Sequence, residues 1–451
     1  MSCLGAIQSV HFVGAGGVSM SALAKLMLMW GKRVSCSDLS YNDRMVELNE
    51  WGAKVWVGHQ PASIDAELIV YSLAVPHDDP ELEYGRNNGI ATVPRQGFLA
   101  ELCREFDTVV AVAGTHGKTT TTAMIAAVFR QADLAFSAHI GGDVPGVGNA
   151  VFRGRRYFVT EACEYGRSFL ALRPDCAVVT NLEWDHPDTY PDAADLEAAF
   201  GQFASNVCKG GFAVVNGESF SRMKMCRNVD VTTFGDERTF DYAFGQVRGL
   251  QDGCFGFKIF KNARPAATVE LSVPGYHNVF NATTAYAVCD RLGIASDLIV
   301  AALEGFSGVG RRFEYKGSVK GCRVYVDYAH HPTEIRMAIE TAKQLARREV
   351  IVVFQPHTYS RTASLMTEFC EELSRADRLL IAKEYAARET PDAGKSAEDL
   401  YRALRDTMGN RVRYCDDTLT IAREALRAAG EGCVLLVLGA GDVDLVASLL
   451  V

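Results

Sequence analysis

Short apolar runs recur along the chain, each closed by a glycine or polar turn and followed by a stretch of helical period. The first is SVHFV (9–13), which runs through GAGGVSM into the helix-like SALAKLMLMW. RVSCSD (33–38) and ELIVYS (67–72) follow it. A second block opens with TVVAVA (108–113) and contains YFVTE (157–161), DCAVVTN (175–181) and a strand- and turn-rich stretch over 229–273. A third holds VYVDY (324–328), VIVVF (350–354), LLIA (379–382) and CVLLVLG (433–439). Continuous apolar strands alternating with helical segments predict an α/β protein with doubly wound, mostly parallel sheets. Three domains are expected, over 1–106, 107–312 and 313–451.

Size agrees, since 451 residues exceed what one core supports. With 48% hydrophobic and 22% charged residues the chain reads as a soluble globular protein. It contains no apolar run of about twenty residues, so no membrane insertion is expected. The opening MSCLGAIQSVHFVGAGG reads as a first strand rather than a signal peptide. The 13 cysteines are scattered from Cys3 to Cys433 with no C-x-x-C pair, which predicts free thiols and a reducing, cytoplasmic location. A net charge of −9 argues against a nucleic-acid partner but leaves room for anionic small substrates held by local donors.

The candidate chemistry sits at strand ends. Gly14, Gly16 and Gly17 form a turn between strand and helix that suits a nucleotide or nucleotide sugar, although Ser19 replaces the third glycine of a dinucleotide turn. Asp38, ending the next strand, occupies the usual place of a ribose-binding acid. GTHGKT (114–119) lies between strand and helix as a phosphate loop should, yet Val112 stands where G-x-x-x-x-G-K-[ST] requires glycine. In such a loop Lys118 reaches the β- and γ-phosphates and the Thr119 hydroxyl ligates Mg²⁺. Glu161, Glu164, Glu183, Asp185 and His186 end neighbouring strands and are candidates for a metal site. Asn278 and Asn281, three apart on a helix, either meet a base or ribose or, for Asn278, cap the helix. Arg311 and Arg312 offer guanidiniums to phosphate or carboxylate, or form a solvated linker. Asp327, His330 and His331 precede one helix of the third block, and His357 and Arg361 another.

Together these segments resemble the Mur ligase family, ATP-dependent amide-forming enzymes of bacterial cell-wall synthesis. The shortened loop GTHGKTTTT, EACEY (161–165), TNLEWDHPD, GYHNVFNA, GRRFE, DYAHHPTE and FQPHTYSRT occur in order over nearly the whole chain. The resemblance implies an N-terminal Rossmann-like domain, a central P-loop mononucleotide-binding ATPase and a C-terminal Rossmann-like domain. It implies sugar-nucleotide contacts at Gly14, Gly16, Gly17, Val18, Ser19, Asp38 and Ser72. ATP is assigned to Gly114, Thr115, His116, Gly117, Lys118, Thr119, Thr120, Asn278, Asn281, Arg312 and Asp327. Mg²⁺ or Mn²⁺ is assigned to Thr119, Glu161 and His186, and the amino acid to Tyr328, His330, His357 and Arg361. Lys118, Arg312 and His330 are the catalytic candidates.

Within the family the segments resemble the branch that joins L-alanine to UDP-N-acetylmuramate. Other members carry a carbamoylated lysine shortly after the D-H pair, whereas here no lysine lies between His186 and Lys209. Departures are Cys163 and Tyr165 where E-A-D-E-S is common, Thr358 where many members have arginine, and Ala15 and Ser19 in the glycine turn. A ligase adding a whole peptide to the same sugar nucleotide is the nearer alternative, and a non-catalytic nucleotide-binding regulator the more distant one.

Overall fold

A computed structural model describes residues 4–226, 228–387, 389–390 and 396–451. Three sheets follow one another along the chain. The first contains β1 (Ser9–Val13), β2 (Arg33–Asp38), β3 (Lys54–Val57), β4 (Leu68–Tyr71) and β5 (Ala91–Pro94). All are parallel, in the order β3-β2-β1-β4-β5. The order reverses between β1 and β4, so a crevice opens where the glycine turn leaves β1.

The second sheet comprises β6 (Thr108–Ala113), β7 (Phe136–Val144), β8 (Gly148–Phe152), β9 (Tyr157–Glu161), β10 (Cys176–Val179), β11 (Phe212–Asn216), β12 (Asp230–Gly235), β13 (Tyr242–Gly249), β14 (Phe255–Lys261) and β15 (Arg264–Glu270). Its order is β15-β14-β13-β12-β11-β10-β6-β9-β7-β8, parallel from β13 to β7 with antiparallel strands at both edges. The third has β16 (Glu314–Val319), β17 (Cys322–Asp327), β18 (Val350–Phe354), β19 (Arg378–Ala382), β20 (Val412–Cys415) and β21 (Val434–Leu438) in the order β16-β17-β21-β18-β19-β20, antiparallel only at β16.

Both faces of the central strands are buried, which is why their sequences are continuously apolar rather than alternating. Val109, Ala111 and Ala113 of β6 join a core continuous with the first domain, while Val110 and Val112 face the helices Lys118–Gln131 and His277–Arg291. In the third sheet Val350, Val352 and Phe354 serve one core, and Ile351 and Val353 the other. Helix starts are set locally. Asn42, Asp79, Asp192, Ser396 and Asp417 each accept a first-turn backbone N–H, and Ser396 forms a full capping box with Asp399. Among the described residues no helix is long and apolar enough to cross a membrane.

Candidate active site

The carboxyl ends of the central and C-terminal sheets face each other, and the predicted residues collect there. The phosphate loop leaves β6 into the helix Lys118–Gln131. Val112 is still inside the strand, paired with Glu161 of β9 and Val178 of β10 and fully buried, so position 112 needs no glycine. The glycines that matter come two residues later. Gly114 has φ +138°, and a β-carbon there would stand 1.9 Å from the Thr180 hydroxyl. Gly117 has φ +78°, and a β-carbon would meet Asn281 Oδ1 at 2.3 Å. Both positions combine a left-handed backbone with a close neighbour, so any side chain would distort the loop.

Lys118 folds back over this loop. Its ammonium donates to the Gly114 and Thr115 carbonyls at 2.5 and 3.0 Å and to Glu164 Oε1 at 2.9 Å. Burial would raise the Glu164 pKa, but Lys118 and His186 hold it below the ordinary carboxylate range. His186 Nε2 lies 3.6 Å from the same oxygen. Glu161 accepts the Gly141 N–H at 2.5 Å, and burial pushes its pKa up against the opposing Gly141 bond and the Lys118 and Arg312 charges. Arg312 donates to the Thr119 hydroxyl at 3.3 Å. Thr119, Glu161, Glu164, Lys118, His186 and Arg312 therefore form one cluster. Glu164, which sequence reasoning left open, is its most buried carboxylate, and its Oε2 has no hydrogen-bond partner.

The third domain closes the other side. His330 Nδ1 lies 2.9 Å from the Tyr328 carbonyl, which fixes Nδ1 as the donor and leaves the lone pair on Nε2. Burial, with the Arg361 charge, holds its pKa down at about 3. His357 packs on His330 with ring centres 5.9 Å apart and lies 3.1 Å from Arg361 Nη1. Arg361 is itself engaged: Nε and Nη2 fork onto the two oxygens of Asp185 at 2.9 and 3.2 Å, and Nη2 reaches His186 at 3.5 Å. A bound carboxylate would share this guanidinium with Asp185. Four side-chain-bearing residues here have left-handed backbones: His186 (φ +58°), Arg311 (φ +57°), Phe313 (φ +48°) and Thr358 (φ +68°).

Between the two domains lies a cavity of about 1360 Å³, lined by His116, Gly117, Thr120, Asn278, Asn281, Arg312 and Asp327 together with Tyr276 and Phe280. Asn278 is not the helix cap. Its amide donates to the Pro274 carbonyl at 2.7 Å, its oxygen accepts from Asn281 at 3.0 Å, and the capping position is Tyr276. Asp327 accepts the Phe313 and Ala329 N–H groups, both at 2.7 Å, and burial raises its pKa to about 6. Arg311 points away, donating to the carbonyls of Gly439 and Gly441.

In the first domain Asp38 accepts the Gly16 N–H at 2.9 Å and so shapes the glycine turn from inside. Gly14 (φ +76°) abuts Ser72, whose β-carbon would stand 3.2 Å from one added there. Gly17 is the cap of the helix Val18–Met29, on which Val18 and Ser19 are the first two residues.

Sequence reasoning missed the ion pairs of His116, which joins the phosphate loop to both neighbours. Nε2 meets Glu183 at 2.8 Å and Nδ1 meets Glu334 at 3.0 Å, the latter from the helix Pro332–Leu345 of the third domain. Ligand atoms of His116, Glu183 and His331 lie within 4.8 Å of one another, but two carboxylates on His116 keep it protonated and remove it as a metal ligand. Burial alone would lower the His116 pKa; Glu334 and Glu183 outweigh it and raise the value to about 9. The folded value is above the unfolded value of about 6.5, so the stabilisation is complete below that pH and lost as pH rises through 9, a linkage of about 3 kcal/mol. The stability difference between wild type and His116→Gln is therefore expected to shrink from about pH 6 to about pH 10 in thermal unfolding. A constant difference would refute the charged state.

Three family profiles tile this architecture: Mur ligase family, catalytic domain over residues 9–107, Mur ligase middle domain over 112–289, and Mur ligase, glutamate ligase domain over 311–441. UDP-N-acetylmuramate–L-alanine ligase of Clostridium novyi is 38% identical over 446 residues, 97% of this chain and 95% of that one. The corresponding ligase of Clostridium perfringens is 36% identical over 97% of this chain and 96% of its own. The crystal structure of UDP-N-acetylmuramate–alanine ligase from Thermotoga maritima superposes with a TM-score of 0.84 at 28% identity, covering 98% of both chains. A murein peptide ligase from Psychrobacter arcticus shares the fold, with a TM-score of 0.74 at 23% identity over 98% of both. With matching profiles in all three domains and relatives this similar over nearly its whole length, the chain belongs to the Mur ligase family.

Proposed function

We propose that the protein is an ATP-dependent ligase joining L-alanine to the lactyl carboxylate of UDP-N-acetylmuramate, in peptidoglycan precursor synthesis. The observation that carries this reading is the direct abutment of two clusters. A phosphate-side set (Lys118, Thr119, Arg312) meets an amine-side set (Tyr328, His330, His357, Arg361) through His186, which lies 3.6 Å from the Glu164 oxygen that Lys118 holds and 3.5 Å from Arg361 Nη2. Segment 1–106 takes the sugar nucleotide, 107–312 takes ATP, and 313–451 closes on ATP and the amino acid. Free cysteines throughout the described residues suit the cytoplasm, where we place it.

A carboxylate is a poor acyl donor. Its oxygen attacks the γ-phosphorus of ATP, ADP leaves, and an acyl phosphate forms. The amine of alanine then attacks the acyl carbon, and the tetrahedral intermediate expels phosphate. Lys118 and Arg312 offset the charge of the transferring phosphoryl group, with the loop amides and helix N-terminus behind them. The donor set of Thr119, Glu161 and His186 suits Mg²⁺ or Mn²⁺, and the absence of side chains at Gly141 and Gly142 keeps room beside Glu161 and Thr119. When bound, the cation would neutralise phosphate charge. His330, with its lone pair on Nε2, accepts the proton that the amine sheds. Its alanine variant is expected to lose about 10²-fold in kcat while binding ATP normally. Unchanged turnover across pH would remove it from this role.

The test is phosphate release from ATP with UDP-N-acetylmuramate and a panel of amines: L-alanine, glycine, L-serine and a cell-wall tripeptide. Turnover with L-alanine is expected, with glycine and serine discriminated by roughly 10–200-fold. Preference for the tripeptide would assign the peptide-adding reaction instead, and no turnover with any amine would leave a nucleotide-binding regulator.

A further inference from the structure

Arg311, which turns away from the nucleotide cavity, closes a ring of contacts behind the amine-side residues. Its Nη2 is committed to one loop, donating to the carbonyls of Gly439 at 2.8 Å and Gly441 at 2.7 Å, and its Nε lies 3.6 Å from Asp444 Oδ2. Its guanidinium stands 5.1 Å from the centre of the Tyr328 ring, and its carbonyl accepts the Tyr328 N–H at 2.7 Å. Tyr328 meets His330 edge-on with ring centres 5.4 Å apart, and His330 packs on His357.

The ring closes through Tyr385, just beyond β19. It stacks on His357 with ring centres 5.7 Å apart and planes 14° from parallel. Its N–H donates to the Pro356 carbonyl at 2.8 Å, and its carbonyl accepts the Thr358 N–H at 2.9 Å, so its backbone brackets His357. Gly441, just beyond β21, packs against it. A β-carbon at Gly441 would stand 2.7 Å from Tyr385 Cγ and 2.3 Å from Gln355 Oε1. Gln355 is 8% exposed and its amide donates to Asp442 at 2.8 Å, so it has little room to swing aside. Position 441 therefore admits no side chain without moving the Tyr385 ring.

The loop 439–442 thus grips Tyr328 through Arg311 on one side and His357 through Tyr385 on the other. Each aromatic or cation–π contact is weak alone. In a closed ring every member is held from two sides, which locks ring orientations that an open chain of the same contacts would leave free. Tyr328 also carries the Arg312 guanidinium 5.0 Å from its centre, so its tilt is shared with the arginine that reaches Thr119.

We propose that Arg311 and Tyr385 are positioning residues for the amine: through Tyr328 and His357 they fix the width of the amine-side pocket, with the loop 439–442 as their common brace. The inference rests on the L-alanine reading above. Steady-state kinetics of the full chain, varying L-alanine and ATP in turn, tests it. Arg311→Met is expected to raise KM for L-alanine about 10-fold and KM for ATP by less than about twofold. Arg311→Lys, whose ammonium can still meet the carbonyls and the ring, is expected to recover part of the loss. Tyr385→Leu is expected to act in the same way, with Tyr385→Phe, which keeps the stack, recovering most of it. Gly441→Ala displaces the Tyr385 ring, so joined to Tyr385→Leu it is expected to cost no more than the larger single change. Wild-type affinity for a non-hydrolysable ATP analogue in calorimetric titration shows that a variant is folded. Where Arg311→Met or Tyr385→Leu does not fold, the KM split of its conservative partner decides.

Equal rises in KM for both substrates, or a lowered melting temperature with both KM values unchanged, would overturn the proposal and leave Arg311 and Tyr385 as scaffold residues. So would additive losses in the Gly441 and Tyr385 pair. Wild type turning over no amine would overturn the proposal together with the reading it rests on. Turnover confined to a tripeptide would sink the L-alanine reading alone, and the same KM split on the peptide's amine would still decide the positioning roles.

Discussion

On the proposed role of Lys118, Lys118→Met is expected to reduce kcat by about 10³-fold or more, because the phosphoryl transition state loses a positive charge. A second, separable effect follows from Glu164. That carboxylate is 3% exposed and 2.9 Å from the ammonium, so the substitution takes away its lysine partner and leaves it buried. Breaking one side of a buried pair costs about 3–5 kcal/mol, more than the packing change of lysine to methionine. Adding Glu164→Gln to Lys118→Met is expected to restore most of the stability and none of the turnover. Melting temperature and single-turnover phosphate release measure the two. Recovered turnover in the double variant would mean that Lys118 acts by restraining Glu164 rather than by touching phosphate.

Arg361→Leu is the second substitution with a large expected effect. The guanidinium and its partner Asp185 have side chains 5% and 6% exposed, and burial, which would raise the Asp185 pKa, is overcome by His186 and Arg361. The fork spans two domains, so removing it strands a buried carboxylate and loosens the closed arrangement together. Destabilisation of about 3–5 kcal/mol is expected, with a rise in KM for L-alanine larger than that for ATP. Arg361→Lys is expected to fall between, since an ammonium cannot fork onto both Asp185 oxygens. The cycle with Asp185→Asn should show a coupling well above 1 kcal/mol; near-additive values would mean the two groups do not depend on each other.

The elements were legible because parallel strands buried on both faces leave a plain signature. RVSCSD, YFVTE and VIVVF coincide with β2, β9 and β18, and the broken 229–273 stretch became β12 to β15. Strand order was not legible, since nothing local to β6 says that β9 and β10 flank it. The phosphate loop after β6 and Glu161 at the end of β9 stand where their sequence positions put them, whereas His186, expected at a strand end, lies in the loop beyond β10. The pairing of His116 with Glu334 and of Asp185 with Arg361 was not legible, because 218 and 176 residues separate the partners and only the packing of one sheet end against another brings them together. Ser19 read as a mild departure from a glycine turn; its hydrogen bonds to His139 and Arg95 form only when those residues arrive from elsewhere in the chain.

The four left-handed residues at the cleft set heat tolerance against turnover. Each such backbone costs of order 1–3 kcal/mol in a residue other than glycine, and Thr358 is β-branched, the least tolerant kind. Selection for stability alone would replace them with glycine and relax the joints. Their side chains or immediate neighbours are the groups that meet at the cleft: His186 itself, Arg312 between Arg311 and Phe313, and Arg361 in the turn that Thr358 begins. A lineage moving to hotter surroundings would therefore gain its extra stability elsewhere in the molecule and leave these positions strained.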